Sequence, residues 1–190
     1  EDALPTLTHL WNHHCACSID LLGEATVSEM EVNNYHYRCL QTLTYLQHAT
    51  EAWGSQLLLE KDHLGPLPRI QLSIKLSALY SQLDPIDFQA SYEGIAPRLR
   101  SIIEKAQTMP AAITFDMEQA ELGPLIVDVF TRLFSEPPFQ DYPHASIALQ
   151  AYLTHSAQTL DALLDWGKTR DAPFGIRLVK GAYWDSEVIR

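Results

Sequence analysis

Residues 69–77 read Arg69-Ile-Gln-Leu-Ser-Ile-Lys-Leu-Ser77. Apolar and polar side chains alternate here, with Ile70, Leu72, Ile74 and Leu76 on one face and Gln71, Ser73, Lys75 and Ser77 on the other. A period of two is that of a β-strand, with one face suited to a core and one that stays polar. Four other stretches share this character: 15–22 (CACSIDLL), 111–118 (AAITFDME), 145–152 (ASIALQAY) and 174–180 (FGIRLVK). Their polar faces carry Ser18 and Asp20; Thr114, Asp116 and Glu118; Ala148, Gln150 and Tyr152; and Arg177 with Val179.

The intervening segments carry helical signals. Thr26-x-x-Glu29 has the spacing of a capping box, and Leu40, Leu43 and Leu46 follow as a narrow apolar stripe. Pro97 suits a first helical turn ahead of Leu99, Ile102, Ile103 and Ala106. Further helices are expected over 121–134 and 157–167, and Asp185 and Glu187 resemble the acidic first turn of another. Strand–helix–strand alternation at this spacing means parallel βα units, in an open doubly wound sheet or a (β/α)8 barrel. An open parallel sheet is covered on both faces, so its strands read as nearly all apolar, which these do not. The first βα turn, Leu22-Gly23-Glu24-Ala25, also lacks the GxGxxG of dinucleotide binding. The expectation is therefore an α/β chain with the parallel (β/α)8 TIM-like barrel fold. The polar faces turn inward and their charged residues gather at the C-terminal ends of the strands. Asp20, Lys75, Asp116, Glu118, Gln150 and Arg177 should then converge. A ligand-free network of internal salt bridges is the plainer alternative, but burying several charges is costly without a ligand to organise them.

Composition narrows the chemistry. The chain has 190 residues, 46% hydrophobic and 19% charged, with 13 Lys and Arg against 24 Asp and Glu, for a net charge of −11. Such acidity argues against direct nucleic-acid binding, and no apolar run is long enough to span a membrane. Three cysteines, Cys15, Cys17 and Cys39, form neither a disulfide framework nor a zinc motif, and are expected to be buried thiols. No strand carries a histidine on its polar face, which disfavours a His-rich metal site. A hard-cation site at Asp20, Asp116 and Glu118, as in a divalent-metal barrel hydrolase, is the rival reading, with Lys75 and Arg177 as competing charge. Amide, guanidinium and ammonium donors on adjacent strands suit a large polar ligand such as a reduced flavin, whose negative charge near N1 and O2 fixed donors stabilise.

The segment Arg177-Leu-Val-Lys-Gly-Ala-Tyr-Trp-Asp-Ser-Glu187 resembles a signature of the proline dehydrogenase family. Asp20-Leu-Leu-Gly-Glu-Ala25, Ser73-Ile-Lys-Leu-Ser-Ala-Leu79, the Asp116-x-Glu118 pair and Leu149-Gln-Ala-Tyr152 occur in the family's order, so the resemblance spans roughly 15–190. It implies a distorted barrel with non-covalent FAD that oxidises L-proline to Δ1-pyrroline-5-carboxylate and passes electrons to a membrane quinone. Carried over by position, Arg177, Gln150 and Asp116 resemble flavin-site residues, and Lys180, Gly181, Ala182 and Trp184 the cofactor loop. Lys75, Asp116 and Tyr183 resemble the catalytic set, with Lys75 meeting the substrate carboxylate and Tyr183 packing on the proline ring. Asp20 and Glu24 resemble substrate-side residues, Glu24 as an acid that pairs with a substrate-side arginine to form a gate. The family also implies a cytoplasmic protein, peripheral at the inner face of the membrane, in some members fused to an aldehyde dehydrogenase domain. Residues 1–14 carry no recognisable signal.

Five strands are fewer than a barrel's eight, and complete barrels run to about 250 residues. Residues 1–190 are thus expected to be the N-terminal part of a larger barrel domain. The family's arginine-bearing final helix, which clamps the substrate carboxylate, would lie outside them.

Overall fold

The computed structural model describes residues 3–181 and 183–187. In chain order its elements are α1 (Leu4–Asn12), β1 (Ile19–Asp20), α2 (Glu29–Glu51), α3 (Leu57–Glu60), β2 (Lys61–Asp62), β3 (Gly65–Pro66), β4 (Ile70–Ile74), α4 (Phe88–Thr108), β5 (Ala111–Phe115), α5 (Gly123–Leu133), β6 (Ala145–Gln150), α6 (Ser156–Gly167), β7 (Gly175–Val179) and α7 (Trp184–Glu187). Strands β1, β4, β5, β6 and β7 form one sheet in that order, and every pairing is parallel. Each new strand is laid beside the last without reversal. A doubly wound sheet reverses at a switch point; monotonic winding is that of a (β/α)8 barrel, of which these are five βα units.

The apolar sets of β4, β5 and β6 meet the helices, whereas Leu178 of β7 is exposed. Leu72, Ile74, Ile113, Phe115 and Ile147 are fully buried in one cluster with Leu43 of α2, Ile95, Leu99 and Ile102 of α4, and Ile126 and Phe130 of α5. Phe115 meets Phe130 edge-on at 5.3 Å, and Phe130 meets Trp166 of α6 at 5.4 Å. These geometries add to the burial term of large aromatic rings.

Local expectations fail in four places. The strand expected over 15–22 is confined to Ile19–Asp20. The capping box at the start of α2 is Ser28 with Glu31, not Thr26 with Glu29. Thr26 Oγ1 is engaged on Ser77 O at 2.9 Å, and Glu29 accepts from Arg98 Nη2 at 2.6 Å. Pro97 lies inside α4 rather than in its first turn. Asp87 caps this helix by accepting from Ala90 N–H at 2.9 Å, and buried Ser91, Tyr92 and Ile95 extend the packed stripe upstream of the proline. Of the cysteines only Cys39 is buried; Cys15 is exposed and Cys17 half-buried. Within the N-terminal stretch that is silent in the sequence, Leu4–Asn12 form α1, whose buried Trp11 stacks on Trp53 at 5.1 Å and donates to Gly54 O at 2.7 Å.

Candidate active site

Strand register sets the level of each polar side chain. Ile74 is paired with Phe115, so Lys75 and Asp116 follow at one level. Phe115 is paired with Ile147, which sets Asp116 beside Ala148, and Ala148 is paired with Arg177. Lys75, Asp116, Ala148 and Arg177 therefore lie side by side across four neighbouring strands. Asp116 and Arg177 are two strands, or about 9–10 Å, apart at the backbone. They meet only because the methyl of Ala148 stands between them.

The resulting network centres on buried Asp116. Lys75 Nζ donates to Asp116 Oδ2 at 3.0 Å and to Asp20 Oδ1 at 2.7 Å. Arg177 Nη2 donates to Asp116 Oδ1, and Arg177 Nη1 to Ser73 Oγ at 3.2 Å. Burial pulls the Lys75 ammonium toward lower pKa, but its bonds to Asp20 and Asp116 outweigh that and hold it above the ordinary lysine value. Lys75 is thus a fixed cation, not a base.

A second group lies beside the first. Glu118 is 3% exposed and takes Ser77 N–H at 3.1 Å on Oε1 and the Ser77 hydroxyl on Oε2. Burial pushes its carboxyl above the ordinary value, against the pull of the Ser77 bonds. Gln150, 1% exposed, donates Nε2–H to Glu118 O at 3.0 Å. That bond orients the amide and leaves Gln150 Oε1 as a buried acceptor with no partner among the described residues.

A third contact crosses the mouth. Tyr183 OH donates to Glu24 Oε2 at 2.8 Å, joining the loop after β7 to the loop after β1. Burial and the Glu24 carboxylate push the Tyr183 phenol well above its usual pKa, so it stays neutral. Gly181 has φ +99°, and a Cβ there would overlap the Tyr152 ring, so the turn after β7 requires glycine. Tyr152 OH in turn donates to Glu187, which also accepts from Ala120 N–H at 2.8 Å.

The structure thus brings Asp20, Lys75, Asp116 and Arg177 into one network, Glu118 and Gln150 into another, and Glu24 and Tyr183 into contact. Lys180 is exposed at the end of β7. Ala182 and the Trp184 side chain lie outside the described residues. The rival cation site is corrected by this geometry. Asp20 and Asp116 are held by Lys75 and Glu118 is spent on Ser77; among the described residues no three His, Cys, Asp or Glu side chains are grouped to hold a metal ion. Ser73, Ser77 and Glu187 were not anticipated as site residues, although the two serines sit on the polar face of the quoted stretch.

The proline dehydrogenase family model matches residues 3–190. This chain belongs to the proline dehydrogenase family. The bifunctional protein PutA of Klebsiella aerogenes is 30% identical over 173 residues, covering 91% of this chain and 12% of that protein. Proline dehydrogenase 1 of Bacillus subtilis strain 168 is 26% identical over 190 residues, covering 100% of this chain and 51% of its own length. The crystal structure of a PutA from Bdellovibrio bacteriovorus, inactivated by N-propargylglycine, superposes with a TM-score of 0.94 at 36% identity, covering 99% of this chain and 20% of that one. The chain therefore spans about half of the Bacillus relatives and a much smaller share of the bifunctional ones.

Proposed function

We propose that the protein oxidises L-proline to Δ1-pyrroline-5-carboxylate, with non-covalently bound FAD as the immediate electron acceptor and a quinone as the final one. Family membership supports the reaction. The observation that carries the cofactor is Gln150 Oε1, a buried acceptor that lacks a partner among the described residues, on the polar face of the same sheet as the Arg177 guanidinium. A flavin ring edge presents carbonyl acceptors and an N–H donor together, so an aligned guanidinium and amide oxygen match it. Tyr183 at the end of β7 offers a flat face to a ring. The donor set fits the group.

FAD, when bound, supplies a two-electron acceptor for the hydride leaving the ring carbon beside nitrogen. The protein's residues do the rest. Lys75 has used two of its three N–H donors on Asp20 and Asp116, and its third suits the substrate carboxylate. Asp116 keeps Lys75 and Arg177 at fixed positions, so neither cation reorganises as charge develops. Tyr183, held by Glu24, packs on the substrate ring. The ring nitrogen must be neutral before hydride loss, and its proton leaves to solvent.

In this reading, residues 1–190 belong to a larger barrel domain whose further units and arginine clamp lie outside them. The bifunctional relatives make fusion to an aldehyde dehydrogenase part of the proposal. In the same reading quinone access is peripheral, from the cytoplasmic side; no helix among the described residues is long and apolar enough to cross a membrane. The test is Arg177→Met in the whole protein. Purified variant should lose most of its flavin absorbance; normal flavin content would refute the role of Arg177. A colourless, active wild-type protein with stoichiometric metal would overturn the whole reading.

A further inference from the structure

The loop between β1 and α2 carries Glu24 and gains little from apolar packing: Leu22 is 81% exposed and Val27 82%. On its N-terminal side, Gly23 lies against the Tyr35 ring, and Arg38 Nη1 reaches Leu22 O at 3.4 Å. On its C-terminal side the backbone is strained, since Ala25 has φ +47° without being glycine. Three hydrogen bonds tie Ala25 and Thr26 to a single residue, while Val27 N–H is turned to Glu31 at the start of α2. Ala25 N–H donates to Ser77 Oγ at 2.9 Å, and Thr26 donates to Ser77 O from its N–H at 3.1 Å and its hydroxyl at 2.9 Å.

Ser77 is itself fixed by Glu118. Its N–H is on Oε1 and its hydroxyl proton on Oε2. A serine hydroxyl has one proton and two lone pairs. With the proton committed to Glu118, a lone pair is directed at Ala25 N–H. A buried carboxylate is a costly way to fill space. Here both of its oxygens are engaged on a single serine.

We propose that Ser77 and Glu118 are positioning residues that set Glu24 against the Tyr183 hydroxyl, and so govern how firmly the mouth of the site holds its substrate. The inference rests on the proline-oxidation reading of the same site.

The experiment is a double-mutant cycle in the whole flavin-loaded protein, comparing Ser77→Ala, Glu24→Gln and the pair, with Ser77→Thr as the conservative control. Loss of the relay should raise KM for L-proline about five-fold, the cost of one ordinary hydrogen bond, with kcat and flavin content near wild type. Ser77→Thr should restore KM. Because Ser77 acts through Glu24, the double variant should be no worse than the more affected single variant. Additive effects, or an unchanged KM, would overturn the proposal. Glu118→Gln, which keeps an acceptor for Ser77 N–H but takes up one hydroxyl lone pair and no longer fixes the hydroxyl proton, should raise KM in the same direction with the same non-additivity. If Ser77→Ala and Glu118→Gln both lose flavin or fail to fold, these residues are structural and the proposal falls. A wild-type protein that oxidises no L-proline refutes the functional reading instead. The relay is then judged by cleavage with a glutamate-specific protease at Glu24, which Ser77→Ala should accelerate; an unchanged cleavage rate would refute it.

Discussion

Gln150→Met separates a ligand-directed amide from a structural one, because the two roles predict opposite signs in the flavin-free protein. Methionine has nearly the volume of glutamine and no polar atom that needs a partner. The substitution removes a buried acceptor that is unpaired among the described residues, a group that costs about 1–3 kcal/mol. It also removes the Nε2–H donor and leaves the buried Glu118 O without it, at a cost of about 1–3 kcal/mol. These terms nearly cancel, so the flavin-free variant should match wild type within about 1 kcal/mol or exceed it. Flavin binding should weaken, because Oε1 can no longer accept from the ligand. One such bond is worth about 1–1.5 kcal/mol, or roughly ten-fold in Kd. Urea denaturation of stripped protein gives the first quantity and fluorescence titration with FAD the second. A variant destabilised by more than about 2 kcal/mol with unchanged flavin affinity would show that Gln150 serves the fold alone.

Two further outcomes follow from the same geometry. Ala148→Leu places a branched side chain between Arg177 and Asp116; it should break that ion pair and abolish flavin retention while the parallel sheet persists by circular dichroism, and full retention would mean that Arg177 does not need to reach across β6. Glu118→Gln should flatten the dependence of stability on pH. The Glu118 carboxyl is raised in the folded protein, so its contribution is complete below the ordinary carboxylate range and is lost as pH rises through the raised value. Denaturation of wild type and variant from about pH 4 to about pH 8 checks this, and parallel slopes would refute it.

The five strands could be read in advance because a barrel strand has two unlike faces, so Ile70, Leu72 and Ile74 had to alternate with Gln71, Ser73 and Lys75. The helices were visible as stripes but not in their limits. Ser28 and Thr26 are both favoured caps by type, and what takes Thr26 out of that role is its bond to Ser77, 51 residues away. Pro97 misled because a proline suits a first turn, whereas here Asp87 and Tyr92 carry α4 well upstream. In the site, Asp20, Lys75, Asp116 and Arg177 stood out as charges on strand faces that have no reason to be charged for folding alone. The contact of Tyr183 with Glu24 spans 159 residues between two loops, and no local pattern encodes it. The Ser77–Glu118 unit was hidden for another reason: serine on a polar face is unremarkable until its three incoming bonds are seen together.

What ties fold to site is register rather than any single charge. The helix-facing residues Leu72, Ile74, Ile113, Phe115 and Ile147 are fully buried, and their packing fixes how each strand is aligned with the next. Shifting β4 by one residue against β5 would turn Lys75 into the helix layer and Leu76 toward Asp116, exchanging a paired ammonium for an apolar side chain and leaving the carboxylate facing it. Both the core and the ion network oppose that slip, so they specify the same alignment independently. Ala148 belongs to this logic. It is the small residue in a row that otherwise holds Lys75, Asp116 and Arg177, and its size lets β7 contribute a cation to a carboxylate two strands away. The acidic surface has no part in this arrangement. Asp20, Lys75, Asp116 and Arg177 balance to zero among themselves, so the net −11 lies elsewhere on the molecule.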